Sequence, residues 1–318
     1  MKNKSRNAVL ITETIGVFIL MSIVAVSIHY LPLNSILKRI LYLPVLLFQG
    51  LWFYRFYIVG HEASHRKLFK DNTVQNDIWG SIVLIPLLVP INIYRKIHMF
   101  HHGFNRKDDH TSSLDTFISK RKPNLLTKTY YYVIWYISVF CGGFFLHSLI
   151  SVLLFLFIPP SVSIKISPAF KGWKMKDQIQ SIALFSLGLL FHLAVYYVGG
   201  WKIYLLVLGL PMLSFAWVLS ILVYIFHYDT TKGEGVRFNV RSLQRVPVFS
   251  WILMNFNEHA THHQYPNIPW YELPAKKTPL PEEYALKNQN TNSFIKAILQ
   301  QLKGPKVIYE NSSPKSKQ

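Results

Sequence analysis

The chain has one cysteine in 318 residues, Cys141, so it can form no internal disulfide, no four-cysteine iron–sulfur cluster and no cysteine-based zinc knuckle. Acidic residues are also scarce, 15 Asp and Glu against 34 Lys and Arg. Charged residues of both signs reach only 15%, below the roughly 25% of an ordinary soluble chain. That is too little charge to cover a soluble surface, and 51% hydrophobic residues exclude a disordered one. In a soluble protein the net charge of +19 would suggest nucleic acid. With a mean hydropathy of +0.22 it points instead to anionic headgroups of membrane lipids, and no nucleic-acid partner is expected.

Long apolar runs are what the chain does have. Residues 8–31 follow the basic start Lys2, Lys4 and Arg6; the run is too long for a signal peptide and reads as an uncleaved first span. Residues 40–59, 179–198 and 203–226 read as three more, with Arg55 expected to snorkel from the second. Gly199-Gly200-Trp201-Lys202 makes a tight hairpin turn between the last two. Residues 78–94 hold Pro86 and Pro90, and residues 130–158 are interrupted by Cys141-Gly142-Gly143. Both are expected to be re-entrant or interfacial rather than crossing. The resulting fold class is an all-α integral membrane protein with about four transmembrane helices, re-entrant segments and a cytosolic histidine-rich cap. Residues 1–302 read as one domain and 303–318 as a disordered polar tail.

Eight of the 13 histidines fall into three clusters outside these runs: His61 and His65; His98, His101 and His102; His259, His262 and His263. On a helix an i,i+4 pair lies about 40° apart and an H-x-x-H-H triplet within about 100°, so each cluster presents its rings on one face. A shared site needs all three clusters on one side of the membrane, which an even number of crossings between them provides. Charge agrees: 30 of the 34 Lys and Arg fall on the histidine side of this topology, which places that side in the cytoplasm. His29, His147 and His192, within apolar runs, are expected to be neutral imidazoles paired with backbone carbonyls; His110 reads as a loop histidine.

Imidazole suits zinc, copper, iron and nickel, but one tetrahedral zinc takes only three or four ligands and would leave the rest idle. Two ions with about four histidines each fit better. Glu62, Asp229, Glu258 and Asn257, near these histidines in sequence, are expected to orient the rings. Iron turns such a site toward oxygen activation, and a catalyst facing the bilayer makes an acyl chain the natural substrate. A different class also contains His61-Glu62-x-x-His65: the zinc metalloproteases, in which the glutamate is a general base. Such a protease would draw a distant aspartate as third ligand, and it leaves two histidine clusters unexplained.

Taken in order, the H-E-x-x-H, H-x-x-H-H and H-x-x-H-H boxes resemble those of the membrane fatty acid desaturases, a family that includes related hydroxylases and carotenoid ketolases. The likeness extends over roughly residues 50–275 through Leu68-Phe69, Asn76, Gly80, Tyr94-Arg95, Asn255-Phe256-Asn257-Glu258 and Tyr265-Pro266 to Leu273-Pro274. It implies His227 as a ninth ligand, two iron ions, molecular oxygen as co-substrate and two electrons from a carrier. No His-Pro-Gly-Gly of a fused cytochrome b5 occurs, so ferredoxin or free cytochrome b5 with its reductase is the expected donor. Three residues between His61 and His65 favour a lipid-linked acyl chain over acyl-CoA. Desaturation is the expected outcome, with hydroxylation or ketolation of a lipid or carotenoid as the alternative on the same scaffold.

Overall fold

The computed structural model describes residues 2–310 except 71, 112 and 113. Thirteen α-helices and two short strands are found among them, with short 3₁₀ and π segments between. Helix α1 (Lys2–Tyr30) is followed by α2 (Ser35–Ser64), which starts where the Asn34 side chain accepts the amide of Leu37. The first half of α2 exposes Ile36, Ile40, Leu43 and Leu47, while its second half is buried almost continuously from Gln49 to Ser64. One helix thus passes from an apolar environment into the protein core, and the first histidine cluster is its last turn. Close packing makes this possible: a Cβ on Gly50 would lie 2.8 Å from the Ser214 backbone, so glycine there lets α2 touch the later helix Leu210–Ile225.

The proline-containing run is sharply bent. Helix α3 (Thr73–Leu84) gives way to a turn through Pro86, and α4 (Ile91–Phe104) leaves at 98°. After strand β1 (Thr116–Ser119), α5 (Leu125–Phe140) and α6 (Gly143–Phe157) meet at 89° across Cys141-Gly142. Gly142 has φ +79°, a conformation glycine adopts without strain. Short α7 (Pro160–Ile166) leads to α8 (Met175–Tyr204) and α9 (Leu210–Ile225).

Three helical stretches are long and apolar enough to cross a membrane: residues 6–30, 35–64 and 175–225. The third is itself a hairpin. Gly200 breaks it at φ 72° and ψ 175°, and the His192 ring lies 3.2 Å from the Tyr204 hydroxyl. Twelve residues of straight helix would separate these groups by about 18 Å. The expected turn at Gly199-Gly200 is therefore present. His192 also pairs with the Pro86 carbonyl at 2.9 Å, as expected of a neutral imidazole in an apolar run.

Beyond α9 come α10 (Pro247–Ile252), α11 (His259–Gln264), α12 (Glu282–Asn288), α13 (Phe294–Gln300) and strand β2 (Lys306–Tyr309). Two expectations are corrected here. Arg55 does not snorkel: it is 1% exposed, paired with Glu13 at 2.6 Å and sandwiched between Trp52 and Trp251. A guanidinium held by a carboxylate and two indole faces needs no water. Nor is the tail disordered from residue 303. Tyr228 and Trp135 donate to the carbonyls of Gly304 and Gln301, and β2 pairs in parallel with β1 in the register Thr116↔Lys306. Only residues 311–318 of that tail lie outside the described residues.

Candidate metal centre

The three clusters arrive from three directions. His61 and His65 close α2; His98, His101 and His102 occupy the second half of α4; His259, His262 and His263 form α11. His227 follows α9 by two residues. Residues flanking the first two boxes lock them together. Arg95, on α4, donates to the Ser64 carbonyl at 3.0 Å and pairs with Asp77 on α3. Asn76 holds both backbone groups of Phe69, fixing the exit from the first box. Gly80 leaves room for Ala63, to which a Cβ would approach within 2.6 Å.

The nine rings form two adjoining groups. Ligand atoms of His61, His65, His98, His102 and His262 lie within 4.8 Å of one another, and so do those of His101, His227 and His263. His259 joins the second group, its Nε2 3.0 Å from that of His227. The His102 and His263 rings stack between the groups at 4.2 Å. Seven of the nine residues are at most 9% exposed; His101 and His102 are half-buried.

Burial holds the His259, His262 and His263 imidazoles well below their usual value, with neighbouring histidines adding to the effect; burial lowers His101 to about 4. All four are neutral at physiological pH, the form that binds metal.

These contacts suit a cation better than a hydrogen-bond network. Nε2 atoms run from His65 to His98 (2.8 Å), to His102 (3.0 Å), to His262 (3.1 Å). Each ring nitrogen offers a single in-plane proton or lone pair, so it cannot give each of two neighbours a separate bond. Metal–nitrogen bonds of about 2.0–2.1 Å place neighbouring ligand atoms about 3 Å apart, which is the spacing found. Both ring nitrogens of His61 and of His263 are buried without a hydrogen-bond partner. An ion in each group would satisfy nitrogens that protein groups leave unpaired.

The four residues expected to orient the rings behave differently. Glu62 is buried beside His61, its Oε1 3.6 Å from Nδ1, and its other oxygen accepts the Trp270 amide. Asp229 instead pairs with Lys306 and Lys287, and Glu258 with Lys277. The Asn257 amide donates to the Leu243 carbonyl. Among the described residues none of these three makes a hydrogen bond or ion pair with a histidine ring: neighbouring residues on a helix or turn point in different directions, so adjacency in sequence does not bring contact.

Groups that sequence reasoning assigned no role surround the rings instead. Tyr94 stacks on His98 at 5.4 Å, one helical turn before it, a spacing that could have revealed the contact. Phe256 packs against His61 and His259. Left-handed backbone at Arg66, Arg106, Asp229, Met254 and Asn255 borders the histidine segments. Such positions cost about 1–3 kcal/mol each and persist where surrounding structure enforces them.

A cavity of about 330 Å³ opens against the centre. Its inner wall carries His61, His98, His101, His227 and His259, and its sides are mainly apolar and aromatic, from Val89 and Ile93 to Phe215, Leu219 and Val223. That volume falls in the range of about 300–1,000 Å³ typical of small-molecule sites.

Fold and site together define a helical protein with apolar helices of membrane-spanning length, in which nine buried or half-buried histidines cluster and five of them line the end of an apolar chamber. The chain belongs to the fatty acid desaturase family, whose model matches residues 39–294. It is 23% identical over 306 residues to an sn-1 oleoyl-lipid 12-desaturase of Picosynechococcus sp., covering 89% of this chain and 82% of the relative. It is 25% identical to an sn-1 acyl-lipid omega-3 desaturase (ferredoxin) of Nostoc sp., with the same coverage. Against a sphingolipid delta(4)-desaturase of Drosophila melanogaster the identity is 24%, over 77% of this chain and 68% of the relative.

Proposed function

We propose that the protein desaturates a lipid-linked fatty acyl chain at a di-iron centre held by His61, His65, His98, His102 and His262 on one side and His101, His227, His259 and His263 on the other. The observation that carries this reading is the apolar cavity ending on histidines of both groups. Bound iron would supply the activation of molecular oxygen and its attack on a C–H bond. The balanced reaction takes –CH₂–CH₂–, O₂, two electrons and two protons to –CH=CH– and two waters.

The chain's own residues position and exclude. Phe215, Leu219 and Val223 present methyl and ring surface to an acyl chain and offer it no polar partner. The aromatic packing of Tyr94, Phe256 and Phe226 on the imidazoles keeps the rings fixed and limits water at the inner wall. Glu62, held by the Trp270 amide, lies on the Nδ1 side of His61. A carboxylate so occupied is poorly placed to act as the base of a metalloprotease.

The topology that accompanies this reading has four crossings: α1, α2, α8 and α9. The two bent pairs, α3–α4 and α5–α6, then enter without crossing, and the centre lies on the cytoplasmic side that collects most Lys and Arg. Electrons come from a separate carrier. Ferredoxin is the preferred candidate because two of the relatives carry it in their names.

Expression in a host lacking polyunsaturated lipids tests the function. New acyl species two mass units lighter, found in the glycerolipid fraction, are the expected result. Acyl species sixteen or fourteen units heavier would replace desaturation with hydroxylation or ketolation.

A further inference from the structure

Of the three histidines in apolar runs, His192 has the expected carbonyl partner, whereas the rings of His29 and His147 have no hydrogen-bond partner among the described residues, and of these two it is His147 that lines the cavity. Its place is unusual. Most residues lining the cavity are buried or half-buried; Ile97 on α4 and His147 on α6 are both lining and exposed, so they frame its mouth. The mouth lies on an apolar surface, because the neighbours of His147 on α6, Leu146 and Ile150, are 57% and 56% exposed. The nearby hydroxyls are already used. Ser148 donates to the Phe144 carbonyl at 2.9 Å and Ser151 to that of His147 itself at 2.9 Å.

An imidazole in apolar surroundings without a partner is costly, and such groups mark sites of function in membrane proteins. A ligand that fills the apolar chamber and carries a hydrogen-bond acceptor at its outer end satisfies both the chamber and the ring. We propose that His147 donates a hydrogen bond to the ester-carbonyl oxygen of the lipid whose acyl chain occupies the cavity. It thereby sets how far the chain reaches towards the histidines. His147 is then a positioning residue that selects ester-linked acyl chains, and this role rests on the acyl-lipid reading given above.

The test measures binding to the purified full-length protein by electron paramagnetic resonance, using two spin-labelled probes: a diacylglycerophospholipid and a hydrocarbon of equal chain length without an ester. His147→Leu should weaken phospholipid binding about tenfold, the value of one hydrogen bond at the upper end of its range, and leave hydrocarbon binding unchanged. His147→Gln, which restores an N–H donor, should return most of that loss. Equal phospholipid binding by wild type and His147→Leu would overturn the proposal, as would a parallel loss for both probes. Failure of the wild type to immobilise either probe would overturn the acyl-chamber reading, and this proposal with it.

Discussion

Alanine in place of His262 is expected to abolish desaturation while the protein still inserts and folds, and His101→Ala is expected to do the same. His262 closes the Nε2 series that begins at His65, so its loss removes one of five ligand atoms from the first group. His101 belongs to the second group with His227, His259 and His263, where four rings rather than five share the load. Changes to residues that merely support a metal ligand cost roughly 10–100-fold, so deletion of a ligand should exceed that range. Each variant should also lower metal content at its own group: a product assay reads the first effect and metal analysis the second. Full turnover by either variant would remove its histidine from the centre.

Arg106→Met is expected to produce the largest loss of stability of any single change outside the histidines. Arg106 is fully buried, pairs with Asp115 at 2.7 Å, and donates to the carbonyls of Thr230 and Thr231 at 3.1 Å. Asp115 in turn accepts the Asp229 amide at 2.7 Å. The pair lies within the segment after the second histidine box, and its hydrogen bonds to the backbone of residues 229–231 tie that segment to the one after His227. Burial works against the Asp115 carboxylate, yet Arg106, the Asp229 amide and Lys232 together outweigh that and hold it below the usual carboxylate range. Removing the arginine leaves a buried charge uncompensated, at a cost of about 3–5 kcal/mol. In detergent this should appear as a drop of roughly 10 °C in apparent Tm. The double variant with Asp115→Leu should recover part of the loss, because replacing a buried pair by apolar groups costs less than breaking it. A Tm unchanged in Arg106→Met would show that the two segments are held by other contacts.

How far the sequence foretells this molecule depends on the kind of signal. The histidine spacings follow the helical period, so a ring at i, i+3 and i+4 must share a face, and all eight box residues converge. His227 was legible only through resemblance, since a lone histidine after an apolar run has no periodic partner. Spans and bends were legible from hydropathy, proline and glycine, because each acts over a few neighbouring residues. Pairings between distant segments were not. Strands β1 and β2 are four residues each, too short to show alternation, and well over half the length of the chain separates them. Arg106 and Asp115 sit in a polar stretch that reads as solvated loop, and only the fold shows them buried. Asp229 and Glu258 looked like ring-orienting carboxylates because they stand near clustered histidines in sequence, yet each turns to a lysine.

The central claim is that nine histidines hold two ions, and metal analysis of the detergent-purified wild-type chain tests it most directly. The account predicts about two iron atoms per chain, falling in His262→Ala and His101→Ala. A single zinc per chain, unaffected by either substitution, would contradict it.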